Sequence, residues 1–258
     1  MPYALYFDIG NTNTKIGLRA QGGPVTTYVL PTDTHSTADQ FGLLLLGVLR
    51  VAGVEAASVT VCLGASVVPG MSAVVAGACQ RFLGQKLFLA PEDIPIPLEN
   101  RYARPHEVGA DRLAGAYGAR KLFPQAPSIL SVDFGTATTF DCVENNAYLG
   151  GLICPGVLSS AAALGSNTAK LPRISLEVEG REVRPGVSTV TSLNHGFVFG
   201  FAAMTEGLVK RLAATMQGPV LVIGTGGFAK ALAEVTDCFD TVWPDLVIEG
   251  LSRLHDGM

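Results

Sequence analysis

Asp8-Ile-Gly-Asn-Thr-Asn-Thr-Lys15, near the start of the chain, and Asp133-Phe-Gly-Thr-Ala-Thr-Thr139, just past its middle, are two versions of one pattern. Each follows an apolar strand-like run, Tyr3 to Phe7 and Ile129 to Val132, and each leads into an alternating run that reads as the return strand of a hairpin. The glycine lets the backbone turn tightly and present its N–H groups, and the aspartate at the strand end can hold a metal ion. Used twice in one chain, the pattern predicts two similar halves whose hairpins face each other as a phosphate clamp, and so it points to nucleotide chemistry. An Asn/Thr-rich turn is also an ordinary hairpin turn. The second copy is what favours the phosphate reading.

Composition bounds the rest. The 258 residues are 48% hydrophobic and only 16% charged, and mean hydropathy is +0.36, which is ample material for a core and implies no disordered tail. So little surface charge leaves room for a buried subunit interface. A net charge of −4 without any Lys/Arg cluster argues against nucleic acid as a partner. The five cysteines, Cys62, Cys79, Cys142, Cys154 and Cys238, are odd in number and lack Cys-x-x-Cys spacing, so reduced thiols in a cytoplasm are expected. Two uncharged stretches, Ala56 to Gln80 and Asn145 to Ala169, are long enough to span a bilayer, but Pro69-Gly70 and Pro155-Gly156 break them. No membrane span is expected, and with Asp8 and no basic segment before an apolar run, no signal peptide is expected.

Periodicity predicts strands at 3–8, 14–19 and 25–30, a helix at 37–52, a strand at 57–63, a helix at 70–83 and a strand at 86–89. The Pro-rich stretch 90–105 reads as loop and 109–122 as helix. The order then repeats: strands 128–133, 137–143 and 147–154, helices 157–166 and 188–216, strand 219–223, helix 226–235, strand 238–242 and helix 245–256. Three hairpin strands followed by helix and strand in alternation, twice over, is an α/β architecture of two lobes, 1–122 and 123–258, with an active-site cleft between them.

Two further runs carry chemistry. Gly224-Thr-Gly226-Gly227-Phe-Ala229 fits a dinucleotide fingerprint, but too few residues follow it for a Rossmann sheet; a glycine turn against an adenosine ring fits better, with a close-packed helix start as the plain alternative. Gly109-Ala110-Asp111-Arg112 places a carboxylate and a guanidinium in a first helical turn, as a capping Asp with a surface Arg would also do. Tyr102 and His106 precede it, and local physics does not decide between the readings. His35, His106, His195 and His255 stand apart from one another, and there is no Gly-x-Ser-x-Gly, Walker A or His-Glu-x-x-His motif, so serine hydrolase, P-loop and zincin readings drop out.

Taken in order, Asp8-x-Gly-Asn-Thr12, Gly109-Ala-Asp-Arg112, Asp133-x-Gly-Thr-Ala-x-Thr-x-Asp141, Gly150-Gly-x-Ile-x-Pro-Gly156, Thr225-Gly-Gly227 and Pro244-Asp-Leu-x-x-x-Gly-Leu251 resemble the type III pantothenate kinases over nearly the whole chain. The resemblance implies two duplicated ribonuclease-H-like lobes of the actin-like ATPase superfamily, a homodimer, and ATP-dependent phosphorylation of pantothenate at the start of coenzyme A synthesis. It implies that Asp8, Gly10, Asn11, Thr12 and Lys15 form a first phosphate loop, with Asp8 near Mg2+. It makes Asp111 the general base, with Tyr102, Gly109, Ala110 and Arg112 lining the pantothenate pocket. Asp133 is implied to hold a monovalent cation, K+ or NH4+, Gly135 and Thr136 to bind phosphate, and Thr225, Gly226 and Gly227 to adjoin the adenosine. Thr189 is implied to reach substrate from the neighbouring subunit, although Ser188 stands where the family usually has Asn.

Two rivals remain at this point. A non-catalytic regulatory relative is disfavoured by the presence of Asp8, Asp111 and Asp133 together. Another small-molecule kinase or a phosphatase on the same fold is disfavoured by the short chain and by Gly109 to Arg112.

Overall fold

Two sheets carry the chain, and the computed structural model describes residues 1–166 and 175–258. In the first sheet β1 (Tyr3–Ile9), β2 (Asn13–Ala20) and β3 (Val25–Pro31) form an antiparallel meander. β4 (Val59–Ser66) and β5 (Leu87–Leu89) extend it in parallel from the other side of β1, giving the order β3-β2-β1-β4-β5. Leu5, Tyr6 and Phe7 are consecutive and all fully buried, so β1 is covered on both faces, which its unbroken apolar run requires.

Alternation along β1 assigns each face. Leu5, Phe7 and Ile9 share a core with Phe41, Leu45 and Leu49 of α1 (Ala38–Val51) and with Met71 and Val75 of α2 (Pro69–Ala78). Each such side chain is worth about 1.5–3 kcal/mol of burial. Thr37 and Gln40 close a capping box at the start of α1, and Pro69 opens α2 at the position where its missing N–H costs nothing. The predicted helix 70–83 in fact ends at Ala78; one π-helical turn, Cys79–Leu83, follows, and Gly84 closes it at φ 67°.

On the opposite face, α3 (Ala110–Leu122) crosses α7 (Leu246–His255) at close range. A β-carbon on Gly118 would lie 2.6 Å from the Leu246 carbonyl oxygen, and one on Gly250 would collide with the Ala114 carbonyl. The Tyr6 hydroxyl meets His255 Nδ1 at 2.9 Å, so α7 lies over the face of β1 that Tyr6 presents.

The second sheet repeats the first. β7 (Ser128–Phe134), β8 (Ala137–Glu144) and β9 (Ala147–Pro155) form the meander, and β10 (Val220–Gly226) and β11 (Thr241–Val242) extend it in parallel from β7. A short strand from the Pro-rich stretch, β6 (Glu99–Asn100), adds to the edge at β9 and gives the order β11-β10-β7-β8-β9-β6. The sequence reads as loop throughout this stretch; two residues of edge pairing leave too little periodicity to detect. Val132, Phe134 and Phe140 pack with Val198, Ala202 and Val209 of α5 (Thr189–Ala213), beside α4 (Val157–Ser166) and α6 (Ala229–Ala233).

The large residues of α5, Phe197, Phe201, Leu208 and Leu212, pack against this same core, and the helix exposes a row of small ones instead: Gly196, Gly200, Ala203 and Gly207. Among the described residues no helix is long and apolar enough to cross a membrane, and residues 167–169 of the second uncharged stretch lie outside them.

Packing divides the chain less simply than 1–122 and 123–258. One unit holds Met1–Leu98, Ala103–Lys121 and Asp245–Met258, and the other holds Glu99–Tyr102 and Leu122–Pro244. α7 is the reason for the difference: its apolar face is spent on β1, β2 and β4 of the first sheet.

Candidate active site

In the first unit, Ile9 pairs with Thr14, leaving Gly10 to Asn13 as a four-residue turn closed by Gly10 N–H donating to the Asn13 carbonyl at 3.1 Å. Thr32, just past the end of β3, braces it from behind. Its N–H donates to the Thr12 carbonyl at 2.9 Å and its hydroxyl to the Gly10 carbonyl at 2.7 Å; the buried Thr14 hydroxyl lies 2.9 Å from Thr32 Oγ1. With its carbonyls tied back, the turn presents Asn11 and Thr12 to solvent.

Asp8 stands directly across the ladder from Lys15. The Lys15 ammonium donates to Asp245 Oδ1 at 3.0 Å, at the N-terminus of α7.

The end of β1 is joined to the start of α3 through Val67. Its N–H donates to the Ile9 carbonyl at 3.1 Å, and its Cγ1 would lie 3.3 Å from a β-carbon on Gly109. That same β-carbon would collide with Asp111 Oδ1, so the carboxylate rests against the Gly109 α-carbon. Ala110 is buried beneath, and Asp111 Oδ1 accepts from the Arg112 N–H at 2.8 Å. Burial pushes the Asp111 carboxyl above the usual carboxylate range, opposed by the Arg112 N–H and the Arg112 charge. A half-buried carboxylate poised this way is a candidate proton acceptor.

In the second unit, Phe134 pairs with Thr138, so the turn Gly135 to Ala137 is one residue shorter than its counterpart. Gly135 N–H donates to the Ala137 carbonyl at 3.0 Å. The brace comes from the start of α4, where the Ser159 hydroxyl donates to the Thr136 carbonyl at 2.5 Å and Gly156 packs so close that a β-carbon would strike that carbonyl. Gly156 follows Pro155 as Thr32 follows Pro31, and both prolines are at the ends of third strands, opposite Ala137 and Asn13. The dipeptides Pro31-Thr32 and Pro155-Gly156 are the sequence signal of this repeat.

Asp133 has Thr139 directly opposite on β8 and Thr225 beside it on β10. Its carboxylate lies over the α-carbon of Gly226, which adopts φ +85° and has no room for a side chain. Thr225 and Gly226 therefore finish β10, and α6 begins only at Ala229, contrary to the predicted helix start at 226. Gly227 stands in open space. A carboxylate flanked by two hydroxyls is a hard-oxygen donor set that fits an alkali or ammonium ion, and a strand-end carboxylate such as Asp8 fits a magnesium ion that keeps most of its water.

Tyr102 lies on Gly150, which has φ +113°; a β-carbon there would come 3.2 Å from the ring. Thr189 is exposed as the first residue of α5, directly after the capping Ser188.

A duplicated sheet with a hairpin turn at the end of each central strand defines the actin-like class of ATPases and kinases, and solved structures share it. An inorganic polyphosphate/ATP-glucomannokinase from Arthrobacter sp. strain KM is similar over all of both chains, with TM-score 0.53 and 13% identity. The ethanolamine utilization protein EutJ from Carboxydothermus hydrogenoformans is similar over 98% of this chain and 89% of its own, with TM-score 0.58 and 17% identity. Within that class, residues 4–211 match the type III pantothenate kinase profile. A type III pantothenate kinase of Nitratidesulfovibrio vulgaris, strain DSM 19637 / Miyazaki F, is 61% identical over 251 residues, covering 97% of this chain and 96% of its own. The chain belongs to the type III pantothenate kinase family.

Proposed function

We propose that this protein transfers the γ-phosphoryl group of ATP to pantothenate, giving 4'-phosphopantothenate, the first step of coenzyme A biosynthesis. The observation that carries the reading is Asp111: a half-buried carboxylate with a raised pKa, seated on Gly109 at the start of α3, in a chain of this family. The primary hydroxyl of pantothenate attacks the γ-phosphorus, a new P–O bond forms, and the bond to the β,γ-bridging oxygen breaks. Asp111 orients that hydroxyl and accepts its proton.

The turn Gly10 to Thr12, with Lys15 near it, and the turn Gly135 to Thr136 take the phosphates, and Thr225 to Gly227 adjoin the adenosine. Tyr102 and Gly109 to Arg112 contact pantothenate. Mg2+ near Asp8, held mostly through water, and K+ or NH4+ at Asp133 would supply positive charge where the transferring group accumulates negative charge. The protein works in the cytoplasm, consistent with cysteines that form no disulfide, and as a homodimer in which Thr189 reaches the partner's substrate.

A coupled assay of ADP release tests this, with pantothenate set against a panel of sugars and acetate. Pantothenate alone should drive ADP formation; release with a sugar, or none at all, would sink the assignment.

A further inference from the structure

Asp141 is nearly sealed from solvent, at 4% exposure, and the proposed chemistry gives it no part. It lies two residues beyond Thr139 on β8, so both side chains share a face, and Thr139 is directly opposite Asp133. Asp133 and Asp141 are therefore diagonal neighbours across the β7–β8 ladder, a spacing of about 7–8 Å between such positions, with Thr139 between them. Two contacts of Asp141 fall on different oxygens. Oδ1 accepts from the hydroxyl of the fully buried Tyr148 at 2.8 Å, and Oδ2 accepts from Thr139 Oγ1 at 3.2 Å.

An ionised Asp141 has no proton to give, so the single hydroxyl proton of Thr139 is committed to it. The lone pairs of Thr139 Oγ1 are then turned away from Asp141 and left to accept on the face shared with Asp133. Were the polarity reversed, Thr139 would donate to Asp133, occupy one of its lone pairs and aim a proton at any ion held there. Tyr148 secures the other end by holding Asp141 in place.

We propose that Asp141 is a positioning residue that fixes the polarity of Thr139, making Thr139 Oγ1 a neutral ligand for the monovalent cation at Asp133. This rests on the cation reading of Asp133. Thr139 completes the donor set, and Asp141 acts through it while its own charge stays one step further back.

The test compares the unmodified protein with Thr139→Val, Thr139→Ser, Asp141→Asn and the Thr139→Val/Asp141→Asn double variant. The first readout needs no turnover: the rise in thermal midpoint, with Mg-ADP present, when KCl replaces NaCl at constant ionic strength. The second is the potassium concentration giving half-maximal initial rate.

Thr139→Val should lose most of the potassium-dependent rise and raise the half-activating concentration roughly tenfold or more, the usual scale for disturbing a metal's supporting shell. Thr139→Ser should restore both. Asp141→Asn keeps the shape but introduces a donor beside Thr139 or Tyr148; it should act in the same direction, and the double variant should be no worse than the poorer single one.

A Thr139→Val protein with the normal potassium response would overturn the inference, and so would additive effects in the double variant. If Asp141→Asn does not fold, the Val and Ser arms decide alone. An unmodified protein that ignores potassium in both readouts would refute the cation reading of Asp133 before any variant is compared, and this inference with it.

Discussion

The carboxylate of Asp111 lies directly against the α-carbon of Gly109, with no space between them for a methyl group. Glycine at 109 is thus a spatial requirement of the proposed base. Gly109→Ala should push the carboxylate off its position and lower kcat by about a hundredfold, the scale of a 1 Å misplacement near reacting atoms. The affinity for ATP should change little. Steady-state kinetics on the variant check this, and a Gly109→Ala protein with normal kcat would show that the contact is idle.

Asp111→Asn separates catalysis from stability. Turnover should fall by roughly 10²–10⁴, the usual contribution of a positioned base. Burial raises the Asp111 pKa in the folded protein, so its contribution to stability is full below the ordinary carboxylate value and is lost as pH rises through the raised one. The Asn variant has no such titration. It should therefore be more stable than the unmodified protein at pH 7.5 and lose that advantage near pH 3, as denaturant midpoints at both values would reveal. Greater stability of the unmodified protein at pH 7.5 would contradict the raised pKa.

For the unmodified enzyme, the same shift places the acid limb of kcat/KM above the range of an ordinary carboxylate. A limb lying at or below that range would contradict Asp111 as the base.

The exposed row Gly196, Gly200, Ala203 and Gly207 on α5 is smooth enough to admit another helix closely. The protein should sediment as a dimer at micromolar concentration. Gly200→Arg points into open space, so it should leave the fold intact and yield a monomer. An unaltered sedimentation coefficient in that variant would place the interface elsewhere and remove the ground for a shared role of Thr189.

Activity should be low with sodium as the sole monovalent ion and rise steeply with potassium or ammonium. Asp133→Asn keeps the shape above Gly226 while removing the charge, so it should blunt potassium activation more than it lowers the thermal midpoint. Initial rates against potassium at fixed Mg2+ and ATP distinguish the two proteins. Equal rates in sodium and potassium for the unmodified enzyme would contradict the role of Asp133.

Much of the fold was legible because its signals are short in range. Both hairpins, both meanders and α1, α3, α4 and α7 follow from alternation, helical period and caps within a dozen residues of one another. The aspartates at the strand ends were visible for the same reason. What escaped depends on residues brought together from afar. Thr32 and Ser159 brace the two turns from beyond the third strands, and Lys15 meets Asp245 across most of the chain. Gly226 resembled a helix start because glycine serves either a turn or a helix entry; its φ of +85° and its pairing with Phe134 are set by the neighbouring strand β7.

The placement of α7 has a consequence for the order in which the protein is made. β1, β2 and β4 leave the ribosome long before residues 245–258, yet those residues cover one side of this sheet and supply the partner of Lys15. Until residues 245–258 have emerged, the first unit shows bare apolar surface around Tyr6 and Gly17, where His255 and Ile248 will later settle. It is in this interval that the nascent chain most needs protection from aggregation.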